Sequence, residues 1–413
     1  MELSRARFLV SGEGRAALAG LAPALERLTA TALATLLRKS FAPEEAAALA
    51  EQVTLRAKAG ARLTAAQAGW VLSREGSEMM THPLVAGRRA ARLAELGVPV
   101  ADLTCGIGGD LSAIAGLAER VVGVDRDAAT ALLAGANVTA ASVVRGEATR
   151  PPFAIDRMAA LIDPSRRDDQ GSRTFDPARF SPTFDAAIAL ATEARAGVVK
   201  GPPGLDRENV PDECEFEAVQ VGRTLRETAL WFGSGSEEGL RRAVLLPVGA
   251  TLDSNETECP PEPVAPGAVV YDPQSCVTRA GLVRHLGHVL GARMLDRQVA
   301  YLGSDVAVAH PMAEAFEVLD VLPFSLAGLR QRMRAGHWRT ADVRRRAFPV
   351  EPAELVRLLG RLEGEPVTIL CTTLAGKRTV ILGRAISSGA RRARDSRDGS
   401  GMPPAATGTT TGS

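Results

Sequence analysis

Apolar positions along the chain follow two rhythms. Up to about residue 75 they recur every three or four residues, as in GRAALAGLAPALERLTATALATLLRKS and PEEAAALAEQVTLRAKAG. That period gathers them on one face of a helix, so residues 1–75 are expected to form a helical module, with LTAAQAGWVLS as a third helix. From about residue 96 the rhythm changes to short continuous apolar runs: VPVADLT, RVVGVD, ASVVRGE, MAALIDP, AGVVKGPPG, FEAVQV and RAVLLP. Helical segments separate them. Strands apolar on both faces and spaced by helices predict an α/β fold, a mostly parallel sheet covered on both sides, in a domain spanning 76–250. In DECEFEAVQ, Glu213, Glu215 and Glu217 alternate. They therefore share one face, expected to be the solvent face of an edge strand.

DSNETECPPEPVAPG is polar and proline-rich and reads as a linker or long loop. Beyond it, SLAGLRQRMRAG and PAELVRLLGRLEG have helical periodicity. FEVLDVLPF, PVTILCTTL and KRTVILGRA read as strands, the last two joined by a tight turn at Ala375-Gly376. A small α+β domain is expected over 268–385. Residues 387–413 carry almost no apolar side chains and are expected to be a disordered tail.

Composition narrows the function. A chain of 413 residues is too long for one ordinary core. Aromatic residues make up only 4% and the net charge is +1, so any nucleic-acid site has to be a local patch. The basic stretch from Arg330 to Arg346, interleaved with His337 and Trp338, is the candidate RNA surface; its alternative is a solvated helix and strand face. Five cysteines without CxxC spacing argue against a disulfide framework and a zinc knuckle. His285 and His288 stand at i, i+3 with no carboxylate at ligand spacing, so no metal site is expected. The N-terminal residues lack a secretory leader's apolar core, and no window suits a membrane span. A cytoplasmic protein with no membrane partner is expected.

The candidate chemistry lies in VADLTCGIGGDLSAI, residues 100–114. A strand runs into a glycine-rich turn and a helix N-terminus, which is the layout of a nucleotide-cofactor site. The dinucleotide pattern G-x-G-x-x-G fails here, because the glycines are Gly106, Gly108 and Gly109 and position 111 is leucine. Asp102 and Asp110 flank the turn and would repel a pyrophosphate. They suit instead the sulfonium and ammonium of S-adenosylmethionine. Asp125 ends the next strand 19 residues past Gly106, where a carboxylate can take both ribose hydroxyls.

DLTCGIGGD with VVGVDRD resembles motifs I and II of the class I S-adenosylmethionine-dependent methyltransferases. Within them the chain is similar to the trimethylguanosine synthase group and its bacterial relatives with a THUMP-like C-terminal domain. SREGSEMMTHPLVAGRRA resembles the segment preceding motif I in that group, LIDPSRRD stands at motif IV, and LDVLPFSLAGLRQRM with the hairpin after it looks like the THUMP-like domain. The likeness covers about 70–390. It implies a Rossmann-like sheet and S-adenosylmethionine as cofactor. It implies cofactor contacts from Asp102, Thr104, Cys105, Gly106, Gly108, Asp110, Asp125, Arg126 and Glu147, with Thr81, His82 or Arg88 near the cofactor carboxylate. It further implies catalysis by Asp163 and Pro164 and substrate contacts from Arg166 and Arg167. Lys200 and Pro202 follow the fifth strand at the carboxyl end of the sheet, where open α/β sheets bind ligands, and are expected to belong to the substrate cleft. Amine-directed members carry D/N-P-P and an aromatic at motif IV. Here Asp163-Pro164-Ser165-Arg166-Arg167 keeps only the acid and first proline. The acceptor is expected to be an amine of an RNA base. A small molecule or protein remains the alternative, as does a non-catalytic protein that keeps the cofactor site.

Overall fold

The computed structural model describes residues 1–21, 30–60, 63–166, 174 and 176–386. The predicted tail over 387–413 lies outside the described residues. The chain divides into two compact units: Met1–Pro261 with Pro273–Ala292, and Glu262–Asp272 with the described residues from Arg293 onward.

The first unit opens with helices α1 (Leu3–Val10), α2 (Gly12–Leu21), α3 (Ala30–Leu37) and α4 (Pro43–Ala59). Pro43 occupies the first position of α4, and Glu45 accepts the Ala42 N–H at 3.0 Å, so orphan donors of the first turn are satisfied. Leu9, Leu18, Leu49 and Leu55 are buried in one core with Trp70, Leu111 and Leu133.

LTAAQAGWVLS differs from expectation: it forms only a 3-10 turn at Ala65–Gln67. The reason is that two distant side chains satisfy the following backbone. Gln52 accepts the Leu72 N–H at 2.8 Å and donates to its carbonyl at 2.6 Å. Asn137 accepts the Val71 N–H at 2.9 Å and donates to the Val71 carbonyl at 3.0 Å. Extended backbone can then be buried without the helical ladder.

Next come α5 (Arg74–Met79), capped by Ser73, and α6 (Pro83–Ala94), which starts at His82 and Pro83. The sheet domain proper follows: β1 (Val100–Asp102), α7 (Gly109–Ala115), β2 (Val121–Asp125), α8 (Ala128–Asn137), β3 (Ser142–Arg145), β4 (Ala159–Ile162), α9 (Phe184–Glu193), β5 (Ala196–Gly201), β6 (Glu215–Val221), β7 (Thr224–Gly233), β8 (Arg241–Leu246) and β9 (Ala250–Asp253). The strand order is β3-β2-β1-β4-β5-β7-β6-β8-β9. The first five pair in parallel, and β7 runs antiparallel to β5 and β6. This is the α/β sheet expected from the apolar runs. The order reverses beside β1, the switch point where open sheets of this kind bind ligands.

One expectation is corrected. β6 is an interior strand between β7 and β8, and Glu215 and Glu217 are only 1% and 3% exposed. Arginines on α6 supply the counter-charges: Arg92 pairs with Glu215, and Arg88 with Glu217 at 2.8 Å. Glu213, just before the strand, is exposed.

The chain enters the second unit at β10 (Val269–Pro273), returns for α10 (Ser275–Ala280) and α11 (Val283–Val289), and then continues through β11 (Arg293–Asp296), β12 (Val299–Ser304), β13 (Ala313–Pro323), α12 (Leu326–Ala335), β14 (Trp338–Arg346), α13 (Pro352–Leu359), β15 (Glu365–Leu374) and β16 (Lys377–Ala385). Its seven strands are ordered β11-β12-β10-β13-β16-β15-β14. Leu374 pairs with Lys377, leaving Ala375 and Gly376 as the two turn residues, both with positive φ, as a primed hairpin turn requires. His285 on α11 is buried, with Nδ1 3.6 Å from Glu258; His288 is exposed. Among the described residues no group of side chains suits a metal ion, and no helix is long and apolar enough to cross a membrane.

Candidate active site

A cavity of about 870 Å³ opens beside the carboxyl ends of β1, β2 and β4. Its volume falls in the ~300–1,000 Å³ range of small-molecule and cofactor pockets. The glycine turn forms its floor. Gly106 has φ +55°, and a side chain there would meet nothing within 4 Å, so this backbone faces open space. Gly108 has φ +104°, and an added Cβ would come within 2.7 Å of Val138 Cγ2. One glycine thus exposes the turn and the other lets it pack on α8.

Carboxylates at strand ends hold the turn. The Gly106 N–H donates to Asp125 Oδ2 at 3.1 Å, and the Asp127 N–H to Asp125 Oδ1 at 2.9 Å. The Thr104 N–H donates to Asp102 at 3.2 Å, while the Thr104 hydroxyl accepts the Asp163 N–H at 2.6 Å. The last contact ties β1 to the turn after β4. Burial, aided by the nearby Asp110 charge, pushes the Asp102 carboxyl up to about 8. Burial likewise pushes Asp125 up to about 6, against two backbone N–H donors. Burial also raises the Cys105 thiol well above its ordinary range, so Cys105 is a packed neutral group.

A buried ion network runs beneath the cavity. The Lys200 ammonium, at the end of β5, donates to Thr81 Oγ1 at 2.6 Å, to Asp110 Oδ2 at 3.0 Å and to Asp163 Oδ2. Thr81 also donates to Asp110. Arg89 on α6 bridges Asp110 and Glu227. Burial works against the Asp110 charge, but Arg89 and Lys200 hold it well below the usual carboxylate range. Burial works against the lysine charge too, and Asp110 and Asp163 hold it above its ordinary value.

The cavity wall contains Thr81, Asp102, Thr104, Cys105, Gly106, Asp110, Asp125, Arg126, Glu147 and Asp163. Of the remaining candidates, Gly108 is buried under the turn and Pro164 behind Asp163. Pro202 gives its carbonyl to the Thr228 hydroxyl and the Leu205 N–H. Lys200 is 8% exposed, with its ammonium committed to the network. The Arg166 carbonyl accepts from Thr174, and Arg167 lies outside the described residues. Arg88 is paired with Glu217 and is absent from the wall.

Sequence reasoning missed Arg89, and also Ser181 and Pro182. The last two complete the wall because Ser165 and Ser181 exchange backbone hydrogen bonds of 2.8 and 2.9 Å. Arg126 reaches across to the Ser181 hydroxyl at 2.9 Å. Acidic side chains dominate the wall: Asp102, Asp110, Asp125, Asp127, Asp163, Glu51, Glu75, Glu78 and Glu147, against Arg74 and Arg126. Such a cavity attracts cations and repels anions.

In the second unit the expected basic patch is largely neutralised. Arg332 pairs with Asp320, Arg344 with Asp272 and Glu314, Arg345 with Glu351, and Arg346 with Asp272. Arg330 donates to the Leu358 carbonyl. Arg334 and Arg339 are exposed on either side of Trp338, whose ring lies 4.6 Å from the Arg332 guanidinium carbon.

Comparison with known proteins matches residues 313–385 to a family described as THUMP domain-like, and residues 2–59 to a domain of unknown function. Two Mycobacterium tuberculosis proteins, from strains CDC 1551 / Oshkosh and ATCC 25618 / H37Rv, are each named as an uncharacterized S-adenosylmethionine-dependent methyltransferase. Each is 33% identical over 341 residues, covering 79% of this chain and 92% of the relative. The crystal structure of a Porphyromonas gingivalis W83 protein assigned as a methyltransferase superposes with a TM-score of 0.70 at 22% identity, covering 84% of this chain and 92% of that one.

Proposed function

The chain belongs to the S-adenosylmethionine-dependent methyltransferases, and from that premise we propose that it methylates an amine on a base in RNA. One observation carries the amine assignment: the Asp163 carboxylate opens into the same cavity as the Gly106 turn and Asp125. The cavity residues fit the cofactor. Gly106 offers open backbone for its amino-acid part, and Asp125 stands ready for the ribose hydroxyls. In this reading Glu147 and Arg126 contact the adenine, and Asp102 and Thr104 the ammonium. When bound, S-adenosylmethionine supplies an electrophilic methyl group on a sulfonium.

The chain's own task is then to bind and orient the acceptor. Asp163 accepts a hydrogen bond from the amine and faces its lone pair toward the methyl. As the nitrogen gains positive charge, the fixed carboxylate stabilises it more than it stabilised the neutral amine. A preorganised charge of this kind contributes about 10²–10³ in rate. Ser165 stands where related enzymes have a second proline, and its backbone is pinned to Ser181. That pairing holds the backbone at Ser165 in place without the aromatic.

The RNA reading rests on the THUMP domain-like match over 313–385 and on exposed Arg334 and Arg339 beside Trp338. Arginine beside an aromatic ring can hold phosphate and stack on a base. Five buried free cysteines suit a reducing cytoplasm. One observation favours a second reading, a small-molecule or protein amine: the acidic cavity wall disfavours an approaching phosphate backbone.

Transfer of tritiated methyl from S-adenosylmethionine to unfractionated RNA, protein and metabolite pools separates the two. Label in RNA that is lost in Asp163→Ala supports the first reading. Label confined to protein or metabolites supports the second. Cofactor binding with no label in any pool returns the non-catalytic alternative.

A further inference from the structure

Lys200 sits one residue from the end of β5 and is buried, yet its ammonium meets three partners that belong to different parts of the chain. Thr81 comes from the loop before α6, Asp110 from the first turn of α7, and Asp163 from the end of β4. Asp110 is held in turn by Arg89, and Arg89 by Glu227. The resulting series, Glu227–Arg89–Asp110–Lys200–Asp163, alternates in sign and ends at the one member whose side chain is substantially open to the cavity, 38% exposed against 4–10% for the others. A buried lysine anchored by Thr81 and Asp110 has little freedom, so the carboxylate oxygen it grips has little either. Asp163 Oδ2 is consumed by this grip. Among the described residues no hydrogen bond is made to Oδ1, and Asp163 lines the cavity.

We propose that Lys200 is a positioning residue, which acts through Asp163 by fixing the carboxylate so that a single oxygen faces the acceptor amine. The inference rests on the methyl-transfer reading of the cavity, and it changes the role of Lys200 from a group that touches substrate to one that aims another. It also makes the framework around the glycine turn and the acceptor carboxylate one mechanical piece. Asp110 opens α7 directly after the turn, and Lys200 joins it to Asp163.

The test needs no identified acceptor. Sinefungin is an S-adenosylmethionine analogue with an amine-bearing carbon in place of the methylsulfonium, so it carries a cationic amine where the acceptor and methyl meet. Adenosylhomocysteine lacks that amine. Calorimetric affinities of both ligands are measured on wild type, Lys200→Met, Asp163→Asn and the double variant. Wild type is expected to prefer sinefungin by about tenfold, the effect of one charge-assisted hydrogen bond. Lys200→Met is expected to reduce that preference to about twofold or less; the preference is a ratio of two affinities, so any change common to both ligands cancels. Asp163→Asn should erase the preference equally, and the double variant should lose no more than either single one, because both act through one carboxylate.

An intact preference in Lys200→Met, or losses that add in the double variant, overturn the inference. Adenosylhomocysteine binding without any preference in wild type overturns it while leaving the cofactor reading standing. Failure of wild type to bind either ligand removes both. Should Lys200→Met not fold, as judged by thermal unfolding, Lys200→Arg keeps the charge but moves the donor. It is expected to retain adenosylhomocysteine and lose at least about threefold of the preference; an unchanged preference there also refutes the role.

Discussion

With the cofactor ammonium beside Asp102, as proposed, cofactor binding should be coupled to a proton. Its carboxyl is buried at the end of β1, faces the Asp110 charge, and is pushed up to about 8. At neutral pH it is therefore mostly protonated in the free protein. A ligand ammonium beside it favours the carboxylate, so binding must release the proton. Below the carboxyl's pKa, affinity then rises about tenfold per pH unit, or ~1.4 kcal/mol. The ligand α-amine, held charged by its own carboxylate, loses its proton above the ~8 of a chain terminus, so affinity falls again only beyond that. The expected profile for adenosylhomocysteine is a bell with its maximum above pH 8. Calorimetry at pH 7 in buffers of different ionisation enthalpy should report release of close to one proton. In Asp102→Asn the rising limb above pH 6.5 should vanish and the proton release with it, leaving the falling limb. A wild-type affinity that is flat, or that declines, between pH 6.5 and 7.5 would mean that Asp102 does not give up a proton on binding. So does a rising limb that survives in Asp102→Asn.

Other consequences follow from the same geometry. Asp163→Asn should lower the methyl-transfer rate by about 10²–10³ with little change in cofactor affinity, because the carboxylate is needed when charge develops on the acceptor; single-turnover kinetics measures it. Asn137→Ala strips partners from the Val71 N–H, the Val71 carbonyl and the Ile107 carbonyl. It should destabilise the first unit by on the order of 2–5 kcal/mol in urea unfolding, given ~1–3 kcal/mol per unsatisfied buried group. Asp110 has a depressed carboxyl pKa, so its contribution is complete above the ordinary carboxylate value and is lost as pH falls through the folded one. The loss of stability between pH 5 and about 3 should accordingly be shallower in Asp110→Asn than in wild type, as read by thermal midpoints against pH.

The parts of the fold that could be read from the chain were those governed by local pattern. β1, β2, β4 and β5 are continuous apolar runs because both faces are covered, and the turn at Ala375-Gly376 declares itself between two alternating strands. β7 was missed because Arg226 and Glu227 interrupt its apolar run, and Glu227 is buried only through Arg89. The same logic misled at β6: Glu215 and Glu217 look like solvent-facing charges until Arg88 and Arg92 arrive from more than a hundred residues away. Residues 70–73 stay extended because Gln52 and Asn137 reach them from distant helices, which no window around LTAAQAGWVLS reveals.

The site divides in the same way. Gly106, Asp102 and Asp125 announce themselves through spacing along strand, turn and strand. The place of Lys200 at the end of β5 is legible in the sequence, but its partners Thr81 and Asp110 lie 119 and 90 residues away. Ser181 enters through its bridge to Ser165 and the Arg126 hydrogen bond to its hydroxyl. These are facts of tertiary pairing with no local signature.

Every role proposed for these residues depends on the cavity over Gly106 and Asp125 holding S-adenosylmethionine. Calorimetric titration of S-adenosylmethionine and its demethylated product, with NAD as the control, on wild type and Asp125→Ala measures this. Wild type should bind the first two at micromolar concentration, about −8 kcal/mol. The variant should lose at least tenfold, and NAD should not bind. Binding of NAD in place of the other two, or undiminished affinity in Asp125→Ala, would place the cofactor elsewhere.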